Sequence, residues 1–252
     1  MAAAKPARVL LLDPGNFTPY YDMNLGYALS QRGWQVDWVT SRHAFEDIPV
    51  PREVRVEYRF FGAFHHPLLG PRADASWLRA VRRAAKALTY PLYLARLDAH
   101  MASMTPGVLH VQWAPVPWVD AFYWKRWKRS GWRVAYTAHD AAPLAGTTPR
   151  ALSGSYVKLC RAADLTVVHS VADRRRLEEA GVRSERIRTI PQGGPGIFFR
   201  QGPEAPDARM ALGVEGRRPV ILFFGFLKPY KGLDVLLQSL PSVRENTQRC
   251  WP

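Results

Sequence analysis

From Val9 to Ile190 one alternation recurs: a short apolar run, a turn, then a stretch with helical periodicity. Val9-Leu10-Leu11-Leu12 is apolar at consecutive positions, as a strand buried on both faces must be, and Asp13-Pro14-Gly15-Asn16 ends it. Leu25 and Leu29 then follow helical spacing until Gly33 stops them. Trp34 to Thr40, Val54 to Phe60, Val108 to Trp113, Trp132 to Thr137, Leu165 to His169 and Ile187 to Ile190 read as further strands. Helices are expected over about Ser76 to Met104, interrupted or kinked at Pro91, and over Trp118 to Ser130, Arg150 to Ala162 and Ala172 to Ala180. Repeated strand–helix units with apolar strands specify an α/β, Rossmann-like parallel sheet with helices on both faces.

A second, shorter pattern follows. Gln201 to Arg218, with Pro203, Pro206, Gly213 and Gly216, reads as an interdomain connection holding a short helix near Ala208 to Leu212. Val220 to Phe224 is again strand-like, Lys228-Pro229-Tyr230-Lys231-Gly232 is a basic turn, and Leu233, Leu236, Leu237 and Leu240 recur at helical spacing. The expected division is therefore 1–200 as one Rossmann-like domain, 201–218 as linker, and 219–252 as the first βα unit of a truncated second one. A lone βα unit cannot cover its own strand, so it must dock on the first domain, pair with another chain, or stay loosely ordered.

Composition narrows the partners. With 47% hydrophobic and 22% charged residues, the 252-residue chain has globular proportions. A net charge of +14 favours an anionic partner: nucleic acid, an acidic membrane and a phosphorylated substrate all qualify, and a genome rich in arginine codons gives the same balance. Cys160 and Cys250 have neither disulfide-framework nor metal spacing, so no metal site is expected. No apolar run reaches the ~18 residues of a transmembrane helix, and the N-terminal run is too short for a secretory signal, so the simplest location is the cytosol.

Groups able to do chemistry gather where strands end. Asp13 to Tyr20 lies at the carboxyl end of the first strand but lacks G-x-G-x-x-G, which argues against a dinucleotide. Thr137-Ala138-His139-Asp140 leaves another strand at the same edge; a histidine near its ordinary pKa can donate or accept a proton near neutrality. Gln112 can hydrogen-bond a hydroxyl, Trp113 can stack on a ring, and His110 reads as a hydrogen-bonded core residue. Lys228 and Lys231 in a turn before a helix suit an anion, or are simply solvated.

The stretch Gly225-Phe226-Leu227-Lys228-Pro229-Tyr230-Lys231-Gly232 resembles the G-[RF]-[LI]-x-x-x-K-G motif that opens the second domain of GT-B glycosyltransferases of the family 4 type. Thr137 to Asp140 is similar to that family's T-x-H-[DN] element. Leu109 to Pro115 is similar to its H-x-H-x-P strand end, with Gln112 in place of the second histidine. The order of elements agrees from about residue 7 to 241.

The resemblance implies transfer of a sugar, with retention of configuration, from a nucleotide-sugar co-substrate to an acceptor hydroxyl, with no metal or other cofactor. In that reading His139 is catalytic, and Gly225, Lys228 and Lys231 hold the donor diphosphate. Gly15, Asn16, Gln112, Asp140, Gln192 and Gly193 shape the acceptor or sugar cleft. The family's E-x7-E pair of the second domain has no counterpart, because Asp234 and Glu245 stand at another spacing. The chain alone is therefore expected to be weak or inactive, or to need a second chain completing the donor domain; a non-catalytic docking fragment is the alternative.

A basic-aromatic surface is a separate signal. Arg79, Arg82, Arg83 and Lys86 run along one helix beside Leu78, Val81, Ala85 and Leu88. Lys125, Arg126, Lys128 and Arg129 interleave with Phe122, Tyr123, Trp124 and Trp127 on the next. These residues suit the inner face of an anionic membrane, as a lipid-linked acceptor would require, and equally a solvated face with its apolar side in the core. Nucleic acid would find the same charge, but no recognised binding module is visible.

Overall fold

The computed structural model describes residues 7–43, 47–65, 76–139, 150–193, 205–214, 220–225, 227 and 231–248, with the backbone alone at 65, 76, 79, 150–153, 205–207 and 244–248. The chain divides into two compact units, Met1–Arg200 and Gln201–Pro252.

In the first unit the apolar runs become β1 (Arg8–Asp13), β2 (Gln35–Ser41), β3 (Val54–Phe60), β4 (Val108–Val111), β5 (Arg133–Thr137), β6 (Leu165–Val168) and β7 (Ile187–Thr189). They form one 7-stranded sheet in the order β3-β2-β1-β4-β5-β6-β7, every neighbouring pair parallel. The helices between them are α1 (Pro19–Ser30), α2 (Ser76–Met101), α3 (Pro117–Arg129), α4 (Arg150–Ala162) and α5 (Val171–Glu179).

Period-two alternation sends β1 to both faces at once. Val9 and Leu11 join Met23, Val36, Trp38 and Val54 on the α1 side. Leu10 and Leu12 join Leu94, Leu97, Leu109, Val111, Trp124 and Trp127 on the other. The Trp124, Trp127 and Trp132 side chains are fully buried in that second core; each indole contributes about 4 kcal/mol or more at ~25 cal/mol per Å². Cys160 packs inside α4 with its thiol pushed up to about 11 by burial, so it is inert.

Strand order reverses between β1 and β4, and there the chain leaves a crevice at the carboxyl edge of the sheet. Asp13 builds one wall: its two carboxylate oxygens accept the backbone N–H groups of Gly15, Phe17 and Thr18 at 3.1, 2.7 and 3.2 Å. Asn16, at φ 53°, takes the left-handed turn that asparagine tolerates and donates Nδ2–H to the Ser41 carbonyl.

Helix α2 contains Pro91 without ending there and stops at Met101, short of the expected Met104. It is about 39 Å long at 1.5 Å per residue, roughly twice the strand length. Its buried positions, Tyr90, Leu94, Leu97 and Met101, all lie in the C-terminal half. Of the apolar row on its N-terminal half, Leu78 and Ala85 are half-buried, while Val81 is 57% and Leu88 80% exposed.

In the second unit, α6 (Ala205–Ala211) begins slightly before the expected short helix, and α7 (Leu233–Gln248) follows Gly232. Val220 to Phe224, read as a strand, is not one. No strand pairs with it among the described residues, and Leu222 and Phe224 are 81% and 90% exposed. A strand's hydrogen bonds come from a neighbour, and an apolar run alone does not supply one.

Candidate functional site

Four elements bring aromatic and titratable side chains to the crevice. From β4, the backbone N–H of Gln112 extends the ladder onto the Leu12 carbonyl at 2.8 Å, which fixes where its side chain leaves the sheet. Trp113 follows and donates Nε1–H to the Thr18 hydroxyl at 3.0 Å, tying the β4 end to the β1 loop across the switch point. From β5 comes His139, its ring 5.0 Å from that of Trp113 and only 11° from parallel. From β6 comes His169, 5.3 Å from His139. Tyr21, in the first turn of α1, sets its ring edge against both histidines at 5.0 and 5.3 Å.

The imidazole of His139 is therefore stacked, edged and hydrogen-bonded, since its Nε2 meets Gln112 Oε1 at 3.1 Å. Burial, then the neighbouring His169 and His110, lower its pKa to about 4. At neutral pH it is an uncharged ring that offers one donor and one acceptor. This corrects the expectation of a group titrating near neutrality: the low polarity that positions the ring also disfavours its cation.

His110, one strand position before Val111 on β4, is half-buried and hydrogen-bonded, as its alternation with Gln112 suggested. Its Nε2 meets Thr137 Oγ1 at 2.9 Å, and burial lowers its pKa to about 4. His169 donates Nδ1–H to the Ile190 carbonyl at 2.9 Å. Behind the β1 loop, Asp22 is fully buried against Asp13. Desolvation pushes both carboxyls up, Asp13 to about 6; the Asp13 charge raises Asp22 further, while a hydrogen bond from Asp22 favours the Asp13 carboxylate.

Of the residues expected in the acceptor or sugar cleft, Gln112 stands with His139, while Gly15 and Asn16 form the β1 loop. Gln192 and Gly193 are exposed beyond the end of β7, across β6 from the His139 strand. Asp140 and Lys228 lie outside the described residues. Gly225 is exposed at φ 129° and Lys231 is exposed just before α7. Tyr21 as a neighbour of His139, and the Asp13–Asp22 pair behind the β1 loop, went unrecognised. The usable signal was position: Tyr21 and Asp22 open the helix that follows the first strand, so they face back over the sheet edge.

Two of the expected membrane-facing cations do other work. Lys128 pairs with Asp164 at 2.7 Å and donates to the Ala162 carbonyl at 3.0 Å. Lys86 sits over the Phe61 ring at 4.7 Å, and burial lowers its pKa. Aromatic and carboxylate partners drew both lysines inward. Arg83, Lys125 and Arg129 are exposed and Arg82 is half-buried, while the side chain of Arg79 is outside the described set. A cavity of about 470 Å³ lined by Ala121, Lys125, Lys128, Arg129 and Ala162 lies by the C-terminal halves of α3 and α4, at the opposite edge of the sheet from His139.

Fold and site together define a doubly wound α/β protein with a neutral cluster of aromatic and imidazole side chains at its switch point. The chain belongs to glycosyltransferase family 4, whose profile matches residues 21–193. It is 29% identical over 180 residues to a D-inositol 3-phosphate glycosyltransferase of Acidothermus cellulolyticus, a match covering 63% of this chain and 40% of that protein. It is 31% identical over 122 residues to the enzyme of the same name from Nocardia farcinica, covering 44% and 27%. The matches thus span 40% or less of these curated relatives. Among solved structures, a glycosyltransferase from Rickettsia africae shares the fold at TM-score 0.60 and 13% identity, over 96% of this chain and 59% of that one. Anabaena Alr3699/HepE, crystallised with UDP and glucose, does so at TM-score 0.53 and 17% identity, over 93% and 57%.

Proposed function

We propose that the first unit carries the acceptor side of a glycosyltransferase that moves a sugar from a nucleotide-sugar to an acceptor hydroxyl. The observation that carries this reading is the uncharged His139, held between Trp113, Tyr21 and Gln112 at the switch point of a family 4 chain. Stacked rings receive the apolar face of a sugar, and a neutral imidazole orients a hydroxyl without trapping it in an ion pair. In the step, the bond from the sugar C1 to the diphosphate oxygen breaks and a bond from C1 to the acceptor oxygen forms. The acceptor proton leaves with the departing diphosphate.

Gly225, Lys228 and Lys231 are the diphosphate-binding residues of this reading, a role resting on their match to the family motif. Retention of configuration and independence from metal rest on the same resemblance. Because relatives are named for inositol 3-phosphate and a neighbour binds UDP, uridine-diphosphate sugars and phosphorylated polyols are the first substrates to try. The test measures nucleoside diphosphate release and product formation over a panel of donors and acceptors, with and without EDTA, for the chain alone and with candidate partner chains. Acceptor-dependent release that EDTA leaves unchanged and an anomeric configuration that is kept are the expected results. If no condition gives donor binding or turnover, the chain is a docking module and the enzyme reading fails.

A second reading concerns where the chain works. Trp77, Val81, Leu88 and Leu92 of α2 fall within one narrow arc at 100° per residue, opposite the buried Tyr90, Leu94 and Leu97, and are 65%, 57%, 80% and 63% exposed. Trp118 and Phe122, near the start of α3, are 76% and 64% exposed. No described helix is long and apolar enough to cross a membrane. With a net charge of +14, the occupant that fits this apolar face is an anionic bilayer, entered as a peripheral protein with its crevice edge near the lipid. Sedimentation with vesicles containing phosphatidylglycerol should recover the protein, and Leu88→Glu with Leu92→Glu should release at least about nine-tenths of it. Equal binding to neutral vesicles, or a dimer in light scattering that the double variant dissolves, would overturn this reading.

A further inference from the structure

Gln112 is fully buried, yet only half of its amide is engaged: Oε1 meets His139 Nε2, while its Nε2 is buried with no hydrogen-bond partner among the described residues. An amide cannot ionise, and its oxygen only accepts, so the contact requires a proton on His139 Nε2. The opposite ring nitrogen, Nδ1, must then be the bare one. We propose that Gln112 is a positioning residue that locks His139 into the Nε2–H tautomer, so that Nδ1 is the ring nitrogen left to accept a hydrogen bond from a substrate hydroxyl. The inference rests on the glycosyl-transfer reading for its substrate but not for the tautomer, which belongs to the free protein.

Three features hold this arrangement. The Gln112 backbone is pinned to Leu12, so its side chain starts from a fixed point. Trp113 fixes the tilt of the imidazole by stacking, and is itself tied to Thr18. Tyr21 and His169 pack against the ring, and neither has a carboxylate with which to compete for its proton. A histidine at position 112 could donate or accept and would leave the tautomer of its neighbour undetermined. Glutamine removes that ambiguity.

The experiment is nitrogen-15 NMR of the imidazoles in the full chain, labelled at histidine, with far-UV circular dichroism to check folding. In the wild type His139 should show one tautomer with Nδ1 unprotonated. Gln112→Leu should let a second tautomer appear, and Gln112→Glu should keep the first while raising the His139 titration midpoint by about one pH unit or more, because a carboxylate now faces the ring. Transfer should fall about tenfold in Gln112→Leu and recover in part in Gln112→Glu. An Nδ1–H tautomer in the wild type overturns the proposal, as does a folded Gln112→Leu whose tautomer population is unchanged. Loss of all transfer in the wild type, with the tautomer as expected, instead counts against the glycosyl-transfer reading and leaves the positioning role standing.

Discussion

Replacing Asp22 by asparagine isolates a single buried proton. Neither Asp22 oxygen has an acceptor's ordinary donor nearby among the described residues, and the carboxyl faces that of Asp13, whose oxygens are committed to three loop N–H groups. Two buried carboxylates in contact do not both ionise, so Asp22 keeps a proton and donates it to Asp13. In the unfolded chain both groups ionise near about pH 3.9. Above that value the native state therefore binds one more proton than the unfolded state at Asp22. The sign follows: a raised native pKa gives stability that is full below the unfolded pKa and is lost as pH rises, at about 1.4 kcal/mol per pH unit per proton.

An asparagine side chain in its place donates an N–H to Asp13 without taking up a proton, so Asp22→Asn removes that slope. Asp13, itself raised to about 6, titrates in both proteins and cancels in the difference. Urea unfolding followed by tryptophan fluorescence at intervals upward from about pH 4.5 should show the variant gaining on the wild type by about 1.4 kcal/mol per pH unit for as long as Asp22 keeps its proton. Parallel stability curves would refute the shared proton, and with it the explanation of how the β1 loop is held beside the crevice.

Two further outcomes concern the scaffold. A Cβ at Gly107, just before β4, would clash with the backbone carbonyl oxygen of Arg8, so Gly107→Ala should cost about 1–3 kcal/mol and lower the melting temperature by several degrees. Tyr90 donates to Asp120 Oδ1 at 2.6 Å in the core, and burial holds that carboxyl at about 7. Tyr90→Phe should cost about 1–3 kcal/mol at neutral pH and, by removing a bond that favours the carboxylate, move the Asp120 pKa higher in an NMR titration.

The first sheet was legible because each strand carries its own signal. Consecutive apolar residues such as Val9 to Leu12 can only be buried on both faces, and parallel pairing follows from the helices between them. Val220 to Phe224 shows the limit: it has the composition of a strand, but strandedness belongs to a pair. The site was half legible. His139 and Gln112 could be placed at strand ends by position, but their contact spans 27 residues and depends on β4 and β5 being neighbours. The lowered pKa of His139 comes from burial and from two other histidines, which no local motif encodes. On α2, periodicity identified an apolar row but left open the side it faces, and Val81 and Leu88 of that row are exposed while Leu78 and Ala85 are half-buried.

The most direct measurement compares sugar transfer by the wild-type chain and by His139→Ala under the conditions that give the wild type its highest rate. An uncharged ring that orients the acceptor hydroxyl predicts a loss of about tenfold to a hundredfold in turnover with the fold intact. Equal rates in the two proteins would contradict the assignment of the crevice at His139 as the place where the sugar is transferred.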